Sequence, residues 1–180
     1  MKKYSDNPWI DPRVEIKPSP IHGIGMFAKS LIPQGEVVVI WGGKYVDKEE
    51  AEKARQEGKI AQQIDKDTFD VYSREEANRD PTWFMNHSCD PNVWMKDEVT
   101  LVARHDIKPG QELTGDYAMW EAEEDEVKPW ECKCGSPLCR KTITGKDWRL
   151  LELQHRYDKH FSPLINRRIV RSKKSDVHAT

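Results

Sequence analysis

The chain has 180 residues and a net charge of −2, with 37% hydrophobic and 33% charged residues. This length predicts one domain, and the absence of a run of about 18 apolar residues argues against a membrane span. The first residues lack the apolar stretch of a secretory signal, so we expect an intracellular protein.

Charge is spread unevenly along the chain. Residues 140–180 carry 11 lysines and arginines against 4 acidic residues, whereas residues 1–139 carry 18 against 27. The acidic excess peaks at Glu121, Glu123, Glu124, Asp125 and Glu126. Such a run is typical of a solvated loop. It is also compatible with attraction of a basic protein or peptide, which would be the partner.

Strands dominate the first 120 residues. Period-two alternation or β-branched runs predict strands at residues 13–17, 36–41, 68–72 and 99–103. Helix is sparse by comparison. Asp47 precedes two glutamates and predicts a helix to about Glu57, where Gly58 ends it. A second helix is expected over residues 147–159, and a mobile basic tail after about Asn166.

Four cysteines, Cys89, Cys132, Cys134 and Cys139, are all that the chain contains. One lies far from the other three, which fall within eight residues. In a reducing compartment this grouping indicates metal ligands more than disulfides. Four thiolates suit one tetrahedral structural zinc, and a closed site of this kind does not catalyse. Free buried thiols are the alternative.

Four motifs occur in order along the chain. They are HGIGMFA at residues 22–28, FMNHSCDPN at 84–92, ELTGDY at 112–117, and CKCG at 132–135 followed by Cys139. Together they resemble a SET-domain lysine methyltransferase with a post-SET zinc segment, over roughly residues 12–145. The glycine pair alone is equally typical of a plain tight turn. The central motif and the shared order carry the resemblance.

The resemblance implies a mainly β fold with few helices: a β-clip-like set of small sheets with a knot-like, threaded C-terminal segment. It divides the chain into an extension at 1–11, a SET domain at 12–120, a post-SET zinc segment at 121–145, and a helix with a basic tail at 146–180. It also implies S-adenosylmethionine as methyl donor, a target lysine that enters from the opposite face, and a structural zinc.

Particular positions take on roles through this resemblance. The donor is expected to contact His22, Gly23, Ile24, Gly25, Asn86, His87 and Lys133, and zinc to be held by Cys89, Cys132, Cys134 and Cys139. Tyr117 is the expected catalytic residue, although a tyrosine without this context is more often part of a core. Trp41, Tyr72, Gly115 and Trp120 are expected along the lysine channel, where aromatic faces attract a methylated ammonium.

Two departures from the family pattern affect these expectations. Gly115 replaces an aromatic residue that narrows the lysine pocket in relatives, so we expect a roomier pocket that passes beyond monomethylation. The stretch at residues 80–83 is also unusual, which leaves its donor contacts open.

Two other functions remain open at this point. The first is a catalytically silent SET-like module that binds basic peptides. The second is a zinc protein that binds nucleic acid, which the cysteine spacing and the slightly acidic net charge both disfavour.

Overall fold

A computed structural model describes residues 4–177 of the chain. The strands are β1 (Trp9–Ile10), β2 (Val14–Pro18), β3 (Ile24–Ala28), β4 (Val37–Ile40), β5 (Lys44–Val46), β6 (Ile60–Asp65), β7 (Thr68–Tyr72), β8 (Asn86–His87), β9 (Val93–Met95), β10 (Thr100–Ala103) and β11 (Glu112–Gly115). The α-helices are α1 (Lys48–Gln56), α2 (Arg74–Arg79), α3 (Leu151–Tyr157) and α4 (Pro163–Val177).

Three small sheets make up the β structure, as predicted. Their strand orders are β1-β4-β10-β9, β2-β3-β11-β8 and β5-β7-β6. The four predicted strands are confirmed as β2, β4, β7 and β10, with boundaries that shift by one residue in three of them. Their β-branched and aromatic residues pack well on a pleated, half-buried surface.

The pairing of β8 with β11 brings two of the sequence motifs together. These strands run parallel, with Asn86 opposite Thr114 and His87 opposite Gly115. The backbone N–H of Ser88 then donates to the carbonyl of Gly115 at 2.9 Å. The residues that follow β11, including Tyr117, therefore lie beside Asn86 and His87.

The first predicted helix is confirmed as α1. The Asp47 side chain accepts from the Glu50 N–H and caps its N-terminus. The predicted helix over residues 147–159 is broken into three pieces, because Leu150 is extended and Asp158 has a φ of 42°. One-turn 3₁₀ segments at Asp147–Arg149 and Asp158–His160 flank the short helix α3.

The prediction of a mobile tail after Asn166 is wrong for the described residues. Helix α4 starts at Pro163 and continues through Val177. Ile165 and Ile169 on this helix are buried in the main core. The basic side chains had suggested a solvated tail, but apolar residues on one face fix the helix to the sheets.

The main hydrophobic core joins both ends of the chain. Met26, Val39 and Leu101 from the sheets pack in the same cluster as Trp148 and Tyr157 from the C-terminal region. A second, smaller cluster lies between α1 and the β5-β7-β6 sheet. Within residues 4–177, no helix is long and apolar enough to cross a membrane.

Candidate active site

Two cavities meet at Tyr117. The larger has a volume of about 880 Å³ and the smaller about 220 Å³. Both are lined by Trp83, Met85, Tyr117 and Lys128, which form the wall between them. A group bound in one cavity would face a group bound in the other across the Tyr117 ring.

The larger cavity collects most of the residues expected to bind the donor. These are His22, Gly23, Ile24, Asn86, His87 and Lys133. Gly25 does not line this cavity. An added Cβ there would lie 2.2 Å from Glu112 Oε1 and 3.0 Å from Asn86 Nδ2, so Gly25 leaves room for the contact between those two side chains.

Asn86 is held by three acceptors around its amide. Its Nδ2 lies 3.1 Å from the carbonyl oxygens of both His22 and Ile24, and 2.7 Å from Glu112 Oε1. Among the described residues its Oδ1 makes no hydrogen bond. The amide thus ties the 22–24 turn to β11 and keeps one acceptor available to a ligand.

His87 is a neutral imidazole. Burial lowers its pKa to about 4, although the negative charge of Asp116 acts to raise it. Nδ1 accepts from the Tyr117 backbone N–H at 3.3 Å, and this assigns the ring proton to Nε2, which lies 3.3 Å from the Cys89 sulfur. The ring therefore links the tyrosine backbone to the cysteine cluster.

Tyr117 presents a neutral phenol between the two cavities. Burial, with smaller contributions from Glu121 and Cys132, raises its pKa to about 12. The hydroxyl donates to the Met85 carbonyl at 3.1 Å. The ring makes an edge contact with His87 at 5.1 Å between centroids.

Aromatic side chains form one part of the smaller cavity, and polar groups such as Glu121 form another. Trp41, Tyr72 and Trp120 line it, and Trp83 joins them. Trp41 stacks on Trp83 at 6.0 Å and meets Trp120 edge-on at 5.3 Å. The Trp41 Nε1–H donates to the Thr82 carbonyl at 3.3 Å, which fixes the indole. Such a cavity favours an alkyl chain with a terminal cation or amine.

The expectation that Gly115 leaves open space is wrong. Gly115 does not line the smaller cavity, and an added Cβ would lie 2.3 Å from the Trp120 ring and 3.3 Å from the Met85 sulfur. The indole of Trp120 therefore fills the space that the missing side chain would use. Glycine at this position makes room for tryptophan and does not by itself widen the cavity.

The acidic residues at 121–126 pair with basic side chains of the chain itself. Lys128 Nζ lies 2.9 Å from Glu121 and 3.1 Å from Glu126. Glu123 contacts Arg55, and Glu124 contacts Arg149 at 2.7 Å. This pairing reduces the field that the segment would present to a basic peptide.

The four cysteines converge. Their sulfur atoms all lie within 4.8 Å of one another, and Cys89 and Cys132 are 4.0 Å apart. A tetrahedral ion with metal–sulfur bonds of about 2.3 Å needs sulfurs roughly 3.8 Å apart, so the cluster can hold one metal ion. The cluster joins the loop after β8 to residues 132–139, next to the wall of the larger cavity.

A buried charge network supports the turn that carries Tyr117. Asp116 is fully buried and receives two hydrogen bonds from Arg140, at 2.7 and 2.8 Å, and one from the Tyr157 hydroxyl at 2.8 Å. Burial opposes ionisation, but Arg140 keeps the pKa of Asp116 below its usual value. Arg140 also contacts Asp147 at 2.9 Å.

Sequence reasoning missed several residues of the site. Trp130 lines the larger cavity with its ring 6.2 Å from His87, and Lys128 and Trp83 line both cavities. A signal existed for Trp130, because it lies two residues before the ligand candidate Cys132. Trp83 was part of the unusual stretch whose contacts had been left open.

Comparison with protein-family models matches residues 23–118 to the family described as "SET domain". The matched segment includes all of the motif residues except His22 of the HGIGMFA motif and the whole CKCG motif with Cys139. It therefore covers Asn86, His87 and Tyr117.

Curated relatives carry names of one enzyme class. "Histone-lysine N-methyltransferase, H3 lysine-4 specific" of Mycosarcoma maydis is 32% identical over 69% of this chain. "Histone-lysine N-methyltransferase, H3 lysine-9 specific KMT1" of Fusarium mangiferae is 30% identical over 72%, and "Histone-lysine N-methyltransferase 2B" of Homo sapiens is 30% identical over 69%. The matched part spans 9%, 48% and 5% of these three relatives.

Proposed function

This chain belongs to the SET domain family, and on that premise we propose that it is a protein-lysine N-methyltransferase that uses S-adenosylmethionine. The observation that carries the proposal is the position of Tyr117 between a large cavity and a small, partly aromatic one. Transfer of a methyl group from a donor to an amine requires both molecules to meet in line from opposite sides.

The donor belongs in the larger cavity. When bound, S-adenosylmethionine supplies a methyl group made electrophilic by its sulfonium. Asn86 offers the free Oδ1 that a donor ammonium needs, and the exposed turn at His22 and Gly23 offers backbone groups. The half-exposed Trp130 ring can stack on a purine base. Lys133 lies at the same wall.

The acceptor lysine belongs in the smaller cavity. A free lysine with a pKa of about 10.4 is only about 0.04% neutral at pH 7, which costs about 4.6 kcal/mol before transfer. Trp41, Trp83 and Trp120 surround the amine with apolar surface, and this desolvation disfavours the ammonium. Tyr117 lies where its neutral hydroxyl can align the amine, so positioning and desolvation replace a strong base.

The cysteine cluster is the proposed site of a structural zinc. Four cysteine ligands form a closed set with no position for water or substrate, so the ion would organise the chain without taking part in transfer. Its consequence would be local: residues 130–133, next to the cluster, line the donor cavity.

The substrate is proposed to be a lysine in a protein, with histone tails as the first candidates. The relatives are named for lysine 4 and lysine 9 of histone H3, so their names agree on the substrate and differ on the target. An intracellular location follows from this proposal. Aromatic walls accept any lysine side chain, and recognition of the flanking sequence must come from the surface around the opening.

A comparison of Tyr117→Phe with Tyr45→Phe tests the proposed enzyme. Tyr45 is partly buried and lines neither cavity. With S-adenosylmethionine and a histone H3 peptide array, Tyr117→Phe should lower kcat by about 10²-fold while donor affinity is retained, as for loss of one positioned donor. Tyr45→Phe should keep wild-type turnover. A wild-type protein that binds the donor and methylates nothing would instead be a silent peptide-binding module.

A further inference from the structure

Lys128 lies where the two cavities meet. It lines both of them, and among the described residues it is the one lysine that lines the smaller cavity. Its Nζ is 5.9 Å from the centre of the Tyr117 ring. The side chain is only 19% exposed. A primary amine of the chain itself therefore lies next to the position proposed for the amine of the substrate.

The backbone of this lysine is fixed, so only its side chain needs to move. The Lys128 N–H donates to the Ile143 carbonyl at 3.0 Å, and Val127 pairs with Thr144. The Glu121 N–H donates to the Tyr117 carbonyl at 2.8 Å, so the backbone of the carboxylate partner of Lys128 is also held in place. Tethering a reactant in this way replaces an encounter between two molecules by a rotation of single bonds.

We propose that Lys128 is a methyl acceptor of its own active site, so that the protein methylates itself in cis at Lys128. The inference rests on the proposed transferase function and adds a second acceptor to it. Glu121 and Glu126 form the resting clamp on Nζ, and the four-carbon stem lets the amine leave the clamp and turn toward the donor cavity.

The proposed step balances with the donor of the proposed function. Lys128 first loses one proton to the Glu121 carboxylate, 2.9 Å away, and from there to water. The nitrogen lone pair then forms a bond to the methyl carbon of S-adenosylmethionine. The carbon–sulfur bond breaks and its electron pair stays on sulfur, which leaves a neutral thioether and a monomethylated, protonated lysine.

The charge balance around Lys128 sets when this step is possible. Burial opposes the ammonium, but Glu121 and Glu126 keep the pKa of Lys128 above its usual value, so the resting amine is protected from reaction. A sulfonium in the adjoining cavity places a second positive charge nearby and favours loss of the proton. Self-methylation should therefore be slow compared with methylation of a good peptide.

Mass mapping of the intact chain tests the proposal. The protein is incubated with S-adenosylmethionine, once alone and once with a histone H3 peptide, then digested and mapped. Lys128 should gain one methyl group in the protein alone, at a first-order rate that does not change when the protein is diluted tenfold. Lys128→Arg, which keeps the positive charge at the clamp, should abolish this label.

A matched control is Lys146→Arg. Lys146 also pairs with the acidic segment, through Asp125 at 3.6 Å, but it lines neither cavity and is far more exposed. This variant should keep the full label. A label on Lys146 that equals the label on Lys128, or a rate that rises with protein concentration, would overturn the proposal, because both indicate transfer between molecules.

A second readout does not depend on turnover. Acetic anhydride labels accessible amines, and S-adenosylhomocysteine occupies the donor cavity without supplying a methyl group. It should protect Lys128 from acetylation several-fold more than it protects Lys146. If the peptide is methylated while Lys128 stays unmodified and unprotected, the self-methylation proposal is wrong and the transferase function still holds. An absence of methyl transfer to both peptide and protein would count against the transferase function itself.

Discussion

Gly115 and Trp120 act as one unit beside the smaller cavity. The edge of the Trp120 indole occupies the volume that a side chain at position 115 would need. It lies 2.3 Å from where a Cβ would be, so only glycine fits there without a shift. Trp120 also contacts Trp41 and Tyr117, so any shift of its ring changes both the cavity wall and the proposed catalytic residue. The two positions must therefore be changed together to test what they do.

A double-mutant cycle tests this pairing. Gly115→Ala should cost about 1–3 kcal/mol of stability, as overpacking does in well-filled sites, and should slow methyl transfer. Trp120→Phe removes the ring atoms nearest to Gly115, so the double variant should regain much of the loss. Unfolding by urea and steady-state kinetics measure the two effects. Strictly additive changes would contradict the contact, since touching residues normally couple.

Motif residues were predictable one by one because each carries a chemical group at a recognisable spacing. Asn86, His87 and Tyr117 line the larger cavity, although their roles there stay predictions. Lys128 and Trp83 were not predicted. Their side chains are ordinary in sequence, and only the parallel pairing of β8 with β11 and the closure of residues 126–128 on 143–145 bring them to the cavities.

The segment closed by the cysteine cluster is the element most dependent on a ligand. Residues 129–142 form neither helix nor strand, and their backbone is held by single contacts such as Cys132 N–H to the Lys141 carbonyl at 2.7 Å. Without an ion, four thiols in contact supply little that fixes the loop. Metal binding and local folding should therefore be coupled.

Metal removal should loosen this segment and with it the donor cavity. A chelator that strips the cluster is expected to lower the melting temperature and weaken binding of S-adenosylhomocysteine by at least about tenfold, or about 1.4 kcal/mol. Added zinc should restore both. Cys139→Ser should reproduce the loss, whereas the exposed neighbour Leu138→Ala should not. Elemental analysis that finds no metal in active protein would refute the zinc assignment.

The β5-β7-β6 sheet carries a buried acid that the function does not use. Asp70 on β7 is 4% exposed, and among the described residues its Oδ1 has no hydrogen-bond partner. Burial, reinforced by the charges of Asp80 and Glu76, raises its pKa to about 7. The native state therefore keeps Asp70 protonated up to about pH 7, whereas the unfolded chain releases this proton near pH 4.

Stability should consequently fall as pH rises through this window. Between about pH 4 and pH 7 the native state binds one proton more than the unfolded state, so the free energy of unfolding drops by up to about 1.4 kcal/mol per pH unit. Asp70→Asn should remove this slope and stabilise the protein at pH 8. Urea unfolding at several pH values measures it. Parallel curves for the two proteins would show that Asp70 does not titrate in this range.

Strands and helices differed in how far the sequence predicted them. The apolar runs of β4 and β10 were clear, whereas β5 and β6 contain lysine and glutamines and form because β7 pairs between them. The sequence of helix α4 contained helix signals that its many basic residues obscured. Pro163 stands at the first position, and the apolar Ile165 and Ile169 are four residues apart, so that both face the core.

In the molecule as a whole, the C-terminal region packs behind the two cavities and forms hydrogen bonds with residues close in sequence to those that line them. Tyr157 donates to Asp116, and Arg140 bridges Asp116 and Asp147. Arg156 donates to the carbonyl of Cys89 at 2.9 Å. The turn before Tyr117 and the first cysteine therefore both depend on residues that follow the cysteines at 132–139 in sequence. Charge pairs this deeply buried are costly to break, because a lone charge remains.

Two truncations test whether this region is an appendage or part of the core. A chain that ends at Lys146 loses Trp148, Leu153, Tyr157, Phe161 and Ile165, all fully or nearly fully buried. Each large apolar side chain contributes about 1.5–3 kcal/mol when buried, so their sum reaches the whole stability of a typical domain, about 5–15 kcal/mol. This chain should show no cooperative unfolding transition in urea and no donor binding.

A chain that ends at Ser172 keeps every core residue named above, and its free energy of unfolding should lie within about 1 kcal/mol of that of the full chain. Cooperative unfolding of the shorter chain at the wild-type midpoint would mean that the sheets fold without their C-terminal cover.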